Sequence, residues 1–262
     1  MTDIAFQCPQ CHQPTAYIEA GGGGLHCRLC DDRRPAREGF VDFLPEQDDP
    51  HSLAQRLMQF QPLTRIYQGP LWRGSVFFQG IIGLDFDREV DLVLRGAHLT
   101  GNERVLDLAC ASGNYSRRLA QAVPEGAVLG LDLSRPMLRE ATRQPSPANL
   151  HYVRASALEL PLADNSVDAV VCCAALHLFP DIPRALQEIQ RVLAPGGRFV
   201  AGVFATDPRW LARLIQASAR RFGGVEHFEP GQWEALFGEA GLGRVECLHL
   251  SGPWMILKAH KE

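Results

Sequence analysis

The chain has 262 residues, 46% of them hydrophobic, and a formal net charge of -4 at pH 7. That apolar content supports a sizeable core in one large or two small domains, and the mild acidity gives no general attraction to nucleic acid or to an anionic membrane. No apolar run reaches spanning length, and residues 1–20 lack the basic start and apolar stretch of a signal peptide, so a cytoplasmic protein without a membrane span is expected.

The first pattern along the chain is Cys8-Pro-Gln-Cys11, fifteen residues, then Cys27-Arg-Leu-Cys30. Two such knuckles supply four thiolates, which suits tetrahedral Zn²⁺, and a reducing compartment keeps them from forming disulfides. A closed four-thiolate site leaves no room for a water ligand. Cys8, Cys11, Cys27 and Cys30 are therefore read as a structural zinc site folding a ribbon over residues 1–45, with strands at 15–19 and 25–27 and a flexible tip at 21–24. Arg28, Arg33, Arg34 and Arg37 are offset by Asp3, Glu19, Asp31, Asp32, Glu38 and Asp42, so the ribbon is not basic overall. The arginines at 33–37 read as a solvated turn or as a local phosphate contact.

An acidic linker at 46–50 leads to a helix expected at 51–60, with Leu53, Leu57 and Phe60 on one face. Residues 62–83 are dense in aromatics and glycine; Tyr67, Trp72, Phe77 and Phe78, with Arg65 and Arg73, suit either a flat ring substrate or packing of the domain's flank. Residues 85–99 form an amphipathic helix pattern, Phe86, Val90, Val93, Leu94 and Ala97 sharing a face and Asp85 and Asp87 standing at its start.

The densest signal lies at 104–116. Val105, Leu106 and Leu108 make a short apolar strand, Gly113 supplies a turn, and 114–123 read as helical. A second strand at 127–131 ends in Asp132, an acid placed to hydrogen-bond a ribose diol at the crevice of an open parallel sheet. A dinucleotide turn needs G-x-G-x-x-G, but Ala109, Ala111 and Asn114 stand in those places. A carboxylate at Asp107, closing a buried strand, suits a ligand with an ammonium group rather than phosphates. S-adenosylmethionine has a ribose, an amino acid end and no phosphate.

Residues 106–204 resemble a class I S-adenosylmethionine-dependent methyltransferase. The matching segments are Asp-Leu-Ala-Cys-Ala-Ser-Gly from Asp107, Gly-Leu-Asp-Leu-Ser-Arg-Pro-Met-Leu from Gly130, Leu-Pro-Leu-Ala-Asp-Asn-Ser-Val-Asp-Ala-Val from Leu160, and Arg-Val-Leu-Ala-Pro-Gly-Gly-Arg-Phe from Arg191. The resemblance implies a Rossmann-like α/β fold with a seven-stranded sheet, residues 46–100 as a linker and helical segment over the cofactor, and 101–262 as the methyltransferase core. It implies Asp107, Ala109 and Gly113 on the methionine part, Asp132 on the ribose and Leu133 beside the adenine. Ser156 and Ala157 stand near the adenine amino group, where the family usually has an acid.

Further helices are expected at 134–143, 181–193, 208–222 and 232–240, and further strands at 150–153, 169–173, 198–204, 245–250 and 254–258. Asp168 is read as opening its strand, and Cys172 and Cys173 as small apolar residues on opposite faces. His177 follows the fourth strand at the ligand end of the sheet. It reads either as a base that takes a proton during methyl transfer or as a structural histidine. The run Ala174-Ala175-Leu176-His177-Leu178-Phe179-Pro180 is similar to plant chloroplast and cyanobacterial relatives of quinone-ring methyltransferases, which implies an aromatic small-molecule substrate. The ribbon with Glu38-Gly-Phe-Val-Asp-Phe-Leu-Pro45 resembles the start of bacterial rRNA guanine-N1 methyltransferases, which makes RNA an alternative partner through Arg33 to Arg37 and Arg209, Arg213, Arg220 and Arg221. A third reading is a non-catalytic zinc-ribbon interaction protein on the same fold.

Overall fold

The computed structural model describes residues 4–14, 16–18, 24–44, 83–206 and 228–262. The helices expected at 51–60 and 208–222, with the arginines of the second, and the aromatic stretch up to residue 82 lie outside the described residues.

The N-terminal segment forms a three-stranded antiparallel sheet of β1 (Ala16–Ile18), β2 (Gly24–Cys27) and β3 (Arg33–Pro35), in that order. A Cβ on Gly24 would lie 2.3 Å from the carbonyl oxygen of Arg34, so β2 and β3 approach there only because the residue is glycine. The third strand was not expected from the sequence.

The core alternates strands and helices: α1 (Phe86–Ala97), β5 (Arg104–Leu108), α2 (Asn114–Ala122), β6 (Ala127–Asp132), α3 (Arg135–Arg143), β7 (Leu150–Arg154), β8 (Val167–Cys173), α4 (Ile182–Val192), β9 (Leu193–Phe204), α5 (Pro230–Glu239), β10 (Leu242–Ser251) and β11 (Trp254–Lys261). Side-chain capping starts several helices: Asp85, Ser134 and Asp181 accept from the backbone N–H three residues on, and prolines sit in the first turns of α3 and α4. Pro195-Gly196-Gly197, expected to turn into the strand, forms an irregularity inside β9 instead: Val167 pairs with Leu193 but Ala169 with Arg198.

The seven expected strands are present, and an eighth joins them. The order is β10-β11-β9-β8-β5-β6-β7-β4, where β4 (Val41–Asp42) comes from the N-terminal segment and runs parallel to β7. Only β10 and β11 introduce antiparallel neighbours.

Alternation along each strand sends side chains to two cores. Val105, Val128, Ala169 and Val200 pack with Val90, Val93, Leu119 and Leu138 of α1 to α3, while Leu106, Leu108, Leu129 and Val170 pack with Leu186 and Ile189 of α4 and Trp233 and Phe237 of α5. Ile4, Phe6, Ala16 and Leu25 of the ribbon join this second core. Phe6 pairs with Leu162 as an antiparallel bridge, and Ala163 donates its N–H to the Ala5 carbonyl at 3.0 Å. The segment it meets is held from behind by Arg191, which donates to the Leu160 and Leu162 carbonyls at 3.0 and 2.7 Å and pairs with the buried Glu188 at 2.8 Å.

Candidate active site and metal centre

The strand order reverses at β5, with β6 on one side and β8 on the other, which makes the topological switch point of the sheet, where open α/β folds leave a crevice at the carboxyl edge. Because β5, β6, β7 and β8 run parallel, the residues that follow each of them share that edge. The structure thus gathers Asp107, Ala109, Gly113, Asp132, Leu133, Ser156, Ala157 and His177 along one side of the sheet. Asp168 lies at the other edge, where it accepts from Arg104 through Nε at 3.1 Å, Nη2 at 2.8 Å and the backbone N–H at 2.8 Å. Its ion pair ties the starts of β5 and β8, as expected for a residue opening a strand.

The turn after β5 is left-handed at three residues in five. Ala109 has φ 59°, Ala111 φ 49° and Gly113 φ 75°. Alanines in that region are strained, so these two positions hold the backbone shape that glycine favours. At Gly113 the requirement is also steric: a Cβ would lie 2.2 Å from the hydroxyl of Tyr152, which packs across the turn from β7. Burial, opposed by weaker contributions, pushes that phenol up to about 12, so it is neutral near pH 7.

Asp132 closes the turn. Its Oδ2 accepts the Ala111 N–H at 2.8 Å and its Oδ1 the Ser134 N–H at 2.7 Å. Each carboxylate oxygen retains acceptor capacity beyond those bonds. Desolvation raises its pKa against the lowering by the backbone donors of Ser134, Ala111 and Leu133. Asp107 is buried and accepts the Ser116 hydroxyl at 2.5 Å. Ser116, on the first turn of α2, was missed from the sequence because a serine inside an amphipathic helix carries no distinguishing pattern.

Ser156 uses its hydroxyl to accept the Leu158 N–H at 3.2 Å, closing its own turn. His177 sits in a 3₁₀ turn, Leu176–Leu178, reached through Ala174 at φ 60°. The ring is buried and meets Phe204 edge-on at 4.9 Å, and Phe204 in turn meets Trp254 at 5.1 Å.

The four cysteines converge. Their sulfurs all lie within 4.8 Å of one another, with Cys8 and Cys30 at 3.6 Å and Cys11 and Cys27 at 3.7 Å. A tetrahedron with metal–sulfur bonds of about 2.3 Å has edges of about 3.8 Å, so the spacing fits a metal. Both knuckles are built alike: Cys8 and Cys27 donate N–H to the carbonyls of Gln13 and Asp32, and accept from the N–H of His12 and Asp31, each of which has φ 57°. A backbone hydrogen bond at Asp32 lowers the Cys30 pKa, but desolvation and hydrogen bonds with the thiols of Cys27, Cys8 and Cys11 push it up to about 12. The arrangement could hold a metal ion.

Comparison with known proteins agrees with this fold. Residues 106–201 match the methyltransferase domain family. An uncharacterized chloroplastic methyltransferase of Arabidopsis thaliana is 29% identical over 280 residues, covering 97% of this chain and 78% of that protein. A demethylmenaquinone methyltransferase of Thermus thermophilus is 39% identical over 130 residues, 49% of this chain and 57% of that protein, so the chain spans little more than half of that relative's length. Among solved structures, a Haemonchus contortus phosphoethanolamine N-methyltransferase, in complex with phosphomonomethylethanolamine and S-adenosylhomocysteine, superposes with a TM-score of 0.59 at 16% identity, covering 75% of this chain and 59% of that one. The sheet order and these likenesses give the chain a Rossmann-like methyltransferase fold. Among the described residues no helix is long and apolar enough to cross a membrane.

Proposed function

We propose that this chain, an S-adenosylmethionine-dependent methyltransferase by its domain and fold, transfers the methyl group to carbon or oxygen of a small aromatic or quinone-like molecule. The observation that carries the substrate class is the buried His177 at the carboxyl end of β8, set against Phe204, which in turn meets Trp254. A histidine beside aromatic walls suits a planar, ionisable ring. The likeness of about half of this chain to a demethylmenaquinone methyltransferase supports it.

In this reading Asp132 receives the ribose hydroxyls, Asp107 and the turn through Ala109 and Gly113 take the methionine part, and Leu133, Ser156 and Ala157 border the adenine. The bound cofactor supplies an electrophilic methyl on a sulfonium. The chain's residues orient the acceptor in line with that methyl and exclude water. His177 accepts the proton that a phenol or hydroquinone loses. Residues 1–45 carry the ribbon and lend β4 to the core sheet, 46–100 are a linker and helical segment, and 101–262 are the methyltransferase core. Cys8, Cys11, Cys27 and Cys30 hold Zn²⁺, whose preference for four thiolates in a closed site fits the sulfur spacing, and the metal serves folding rather than catalysis.

The test is methyl transfer from labelled S-adenosylmethionine to a panel of phenols and hydroquinones, with rRNA beside them, by wild-type protein and His177→Asn. Transfer to the ring compounds, with His177→Asn lowering kcat about 10²-fold or more and leaving S-adenosylhomocysteine affinity unchanged, supports the reading. Transfer to rRNA alone would replace it with the base-methyltransferase alternative, for which the comparisons offer no support. Folded protein that neither binds S-adenosylhomocysteine nor transfers a methyl group would favour the interaction-protein alternative, in which the altered turn no longer holds cofactor.

A further inference from the structure

We propose that Arg154 is a positioning residue for the loop at 132–134, that Asp42 of the N-terminal segment holds it in place, and that metal in the ribbon thereby strengthens cofactor binding. The inference rests on the reading that this loop receives S-adenosylmethionine.

Arg154 ends β7 and pairs across the sheet with Asp132 on one side and Asp42 on the other. The residue is buried, at 5% exposure. A buried guanidinium needs a counter-charge, and Nη1 lies 3.3 Å from each carboxylate oxygen of Asp42. Its Nε donates to the Leu133 carbonyl at 3.0 Å. Since the guanidinium is a rigid planar fork, fixing one edge on Asp42 fixes the aim of the other. Leu133 stands between Asp132, whose carboxylate closes the β5 turn, and Ser134, which caps α3. Anchoring its carbonyl therefore sets the peptide from which the ribose acid and the adenine-side residue project.

The other end of the chain of contacts reaches the cysteines. Phe43 follows Asp42, donates its N–H to the Arg154 carbonyl at 2.9 Å, and stacks on Phe6 at 5.9 Å with the rings 4° apart. Phe6 lies two residues before Cys8, in a strand bridge with Ala16. Metal that closes the knuckles fixes Phe6, hence Phe43 and Asp42. Contiguity alone does not establish coupling, so the claim is one about free energies: metal and cofactor each tighten the other's binding by the same factor.

The experiment is calorimetric titration of full-length, metal-loaded protein with S-adenosylhomocysteine, in wild type, Asp42→Asn, Arg154→Lys and Glu38→Gln, before and after chelation. Glu38 pairs with Arg135 and Arg139 on the outside of the same segment and has no bond to Arg154. Expected are an about tenfold loss of affinity in Asp42→Asn and Arg154→Lys, and a change within about twofold in Glu38→Gln. Chelation should weaken wild type by a similar factor and add little to Asp42→Asn, because the link is already cut. Reciprocally, S-adenosylhomocysteine should lower the fraction of metal that a competing chromophoric chelator captures from wild type at equilibrium. That last measurement needs no variant and holds if Asp42→Asn fails to fold. Folded variants with wild-type affinity, equal losses on chelation in wild type and Asp42→Asn, or metal capture indifferent to the ligand would overturn the proposal. Folded, metal-loaded wild type that binds no S-adenosylhomocysteine would overturn the cofactor reading beneath it as well.

Discussion

Ala111 donates its main-chain N–H to the Asp132 carboxylate at 2.8 Å, so the turn after β5 and the acid at the end of β6 form one hydrogen-bonded unit. Replacing Asp132 removes a ribose acceptor and the turn's anchor together. Asp132→Ala should abolish or greatly weaken cofactor binding and also lower stability by about 1–3 kcal/mol. Urea denaturation beside calorimetry separates the two losses.

Left-handed alanines in that turn predict a gain from glycine. Ala109→Gly or Ala111→Gly removes a strain of about 1–2 kcal/mol against an entropic cost of about 0.5–1 kcal/mol. Tm should rise by roughly 2 °C for a chain of this size. A fall in Tm would mean that the methyl groups, not the backbone angles, hold the turn.

At Gly113 the opposite holds. Gly113→Ala brings a Cβ to 2.2 Å from the Tyr152 hydroxyl in a backbone at φ 75°, and should destabilise by more than about 2 kcal/mol. Adding Tyr152→Phe should recover part of that loss. Recovery in the double variant, read by thermal melting, checks that the clash is with the hydroxyl.

How much of this was legible in the sequence can be argued residue by residue. The β5 turn and Asp132 were legible because strand, turn and acid follow one another at a fixed spacing, and the knuckles because Cys-x-x-Cys is rare by chance. Strand β4 was not, since Val41 and Asp42 are too few to show a period and gain strand geometry only by pairing with β7. Nor was Arg154, whose importance depends on partners at positions 42 and 133. His177 was legible as a position, at the end of its strand, but its aromatic neighbour Phe204 comes from the next strand, β9, and is backed by Trp254 of β11.

Acid should loosen the seam behind the ribbon. Desolvation would raise the Glu188 pKa, but the Arg191 guanidinium and the Leu160 N–H outweigh it and hold the carboxyl below its ordinary value. A carboxylate with a lowered folded pKa contributes stability above its unfolded value, near about 4.3, and that contribution is lost as pH falls through the folded value. Glu188→Gln should therefore cost stability at pH 7 and progressively less as pH falls below about 4.3 toward the lowered folded value. Urea midpoints across that range measure the difference; a constant gap between the two proteins would contradict the assignment.

Metal content offers a separate check on the ribbon. Wild-type protein should carry about one zinc per chain, and Cys11→Ser should lose it and melt at lower temperature. Elemental analysis with thiol titration in denaturant decides, because disulfides among the four ribbon cysteines would leave no metal and only Cys110, Cys172, Cys173 and Cys247 as free thiols.

Calorimetric titration of wild-type protein with S-adenosylmethionine and S-adenosylhomocysteine, repeated on Asp132→Ala, tests most directly the claim that the carboxyl edge of β5 and β6 is the cofactor site. Micromolar binding by wild type, lost in the variant, is the predicted result. Folded, zinc-loaded wild type that binds neither compound would contradict it.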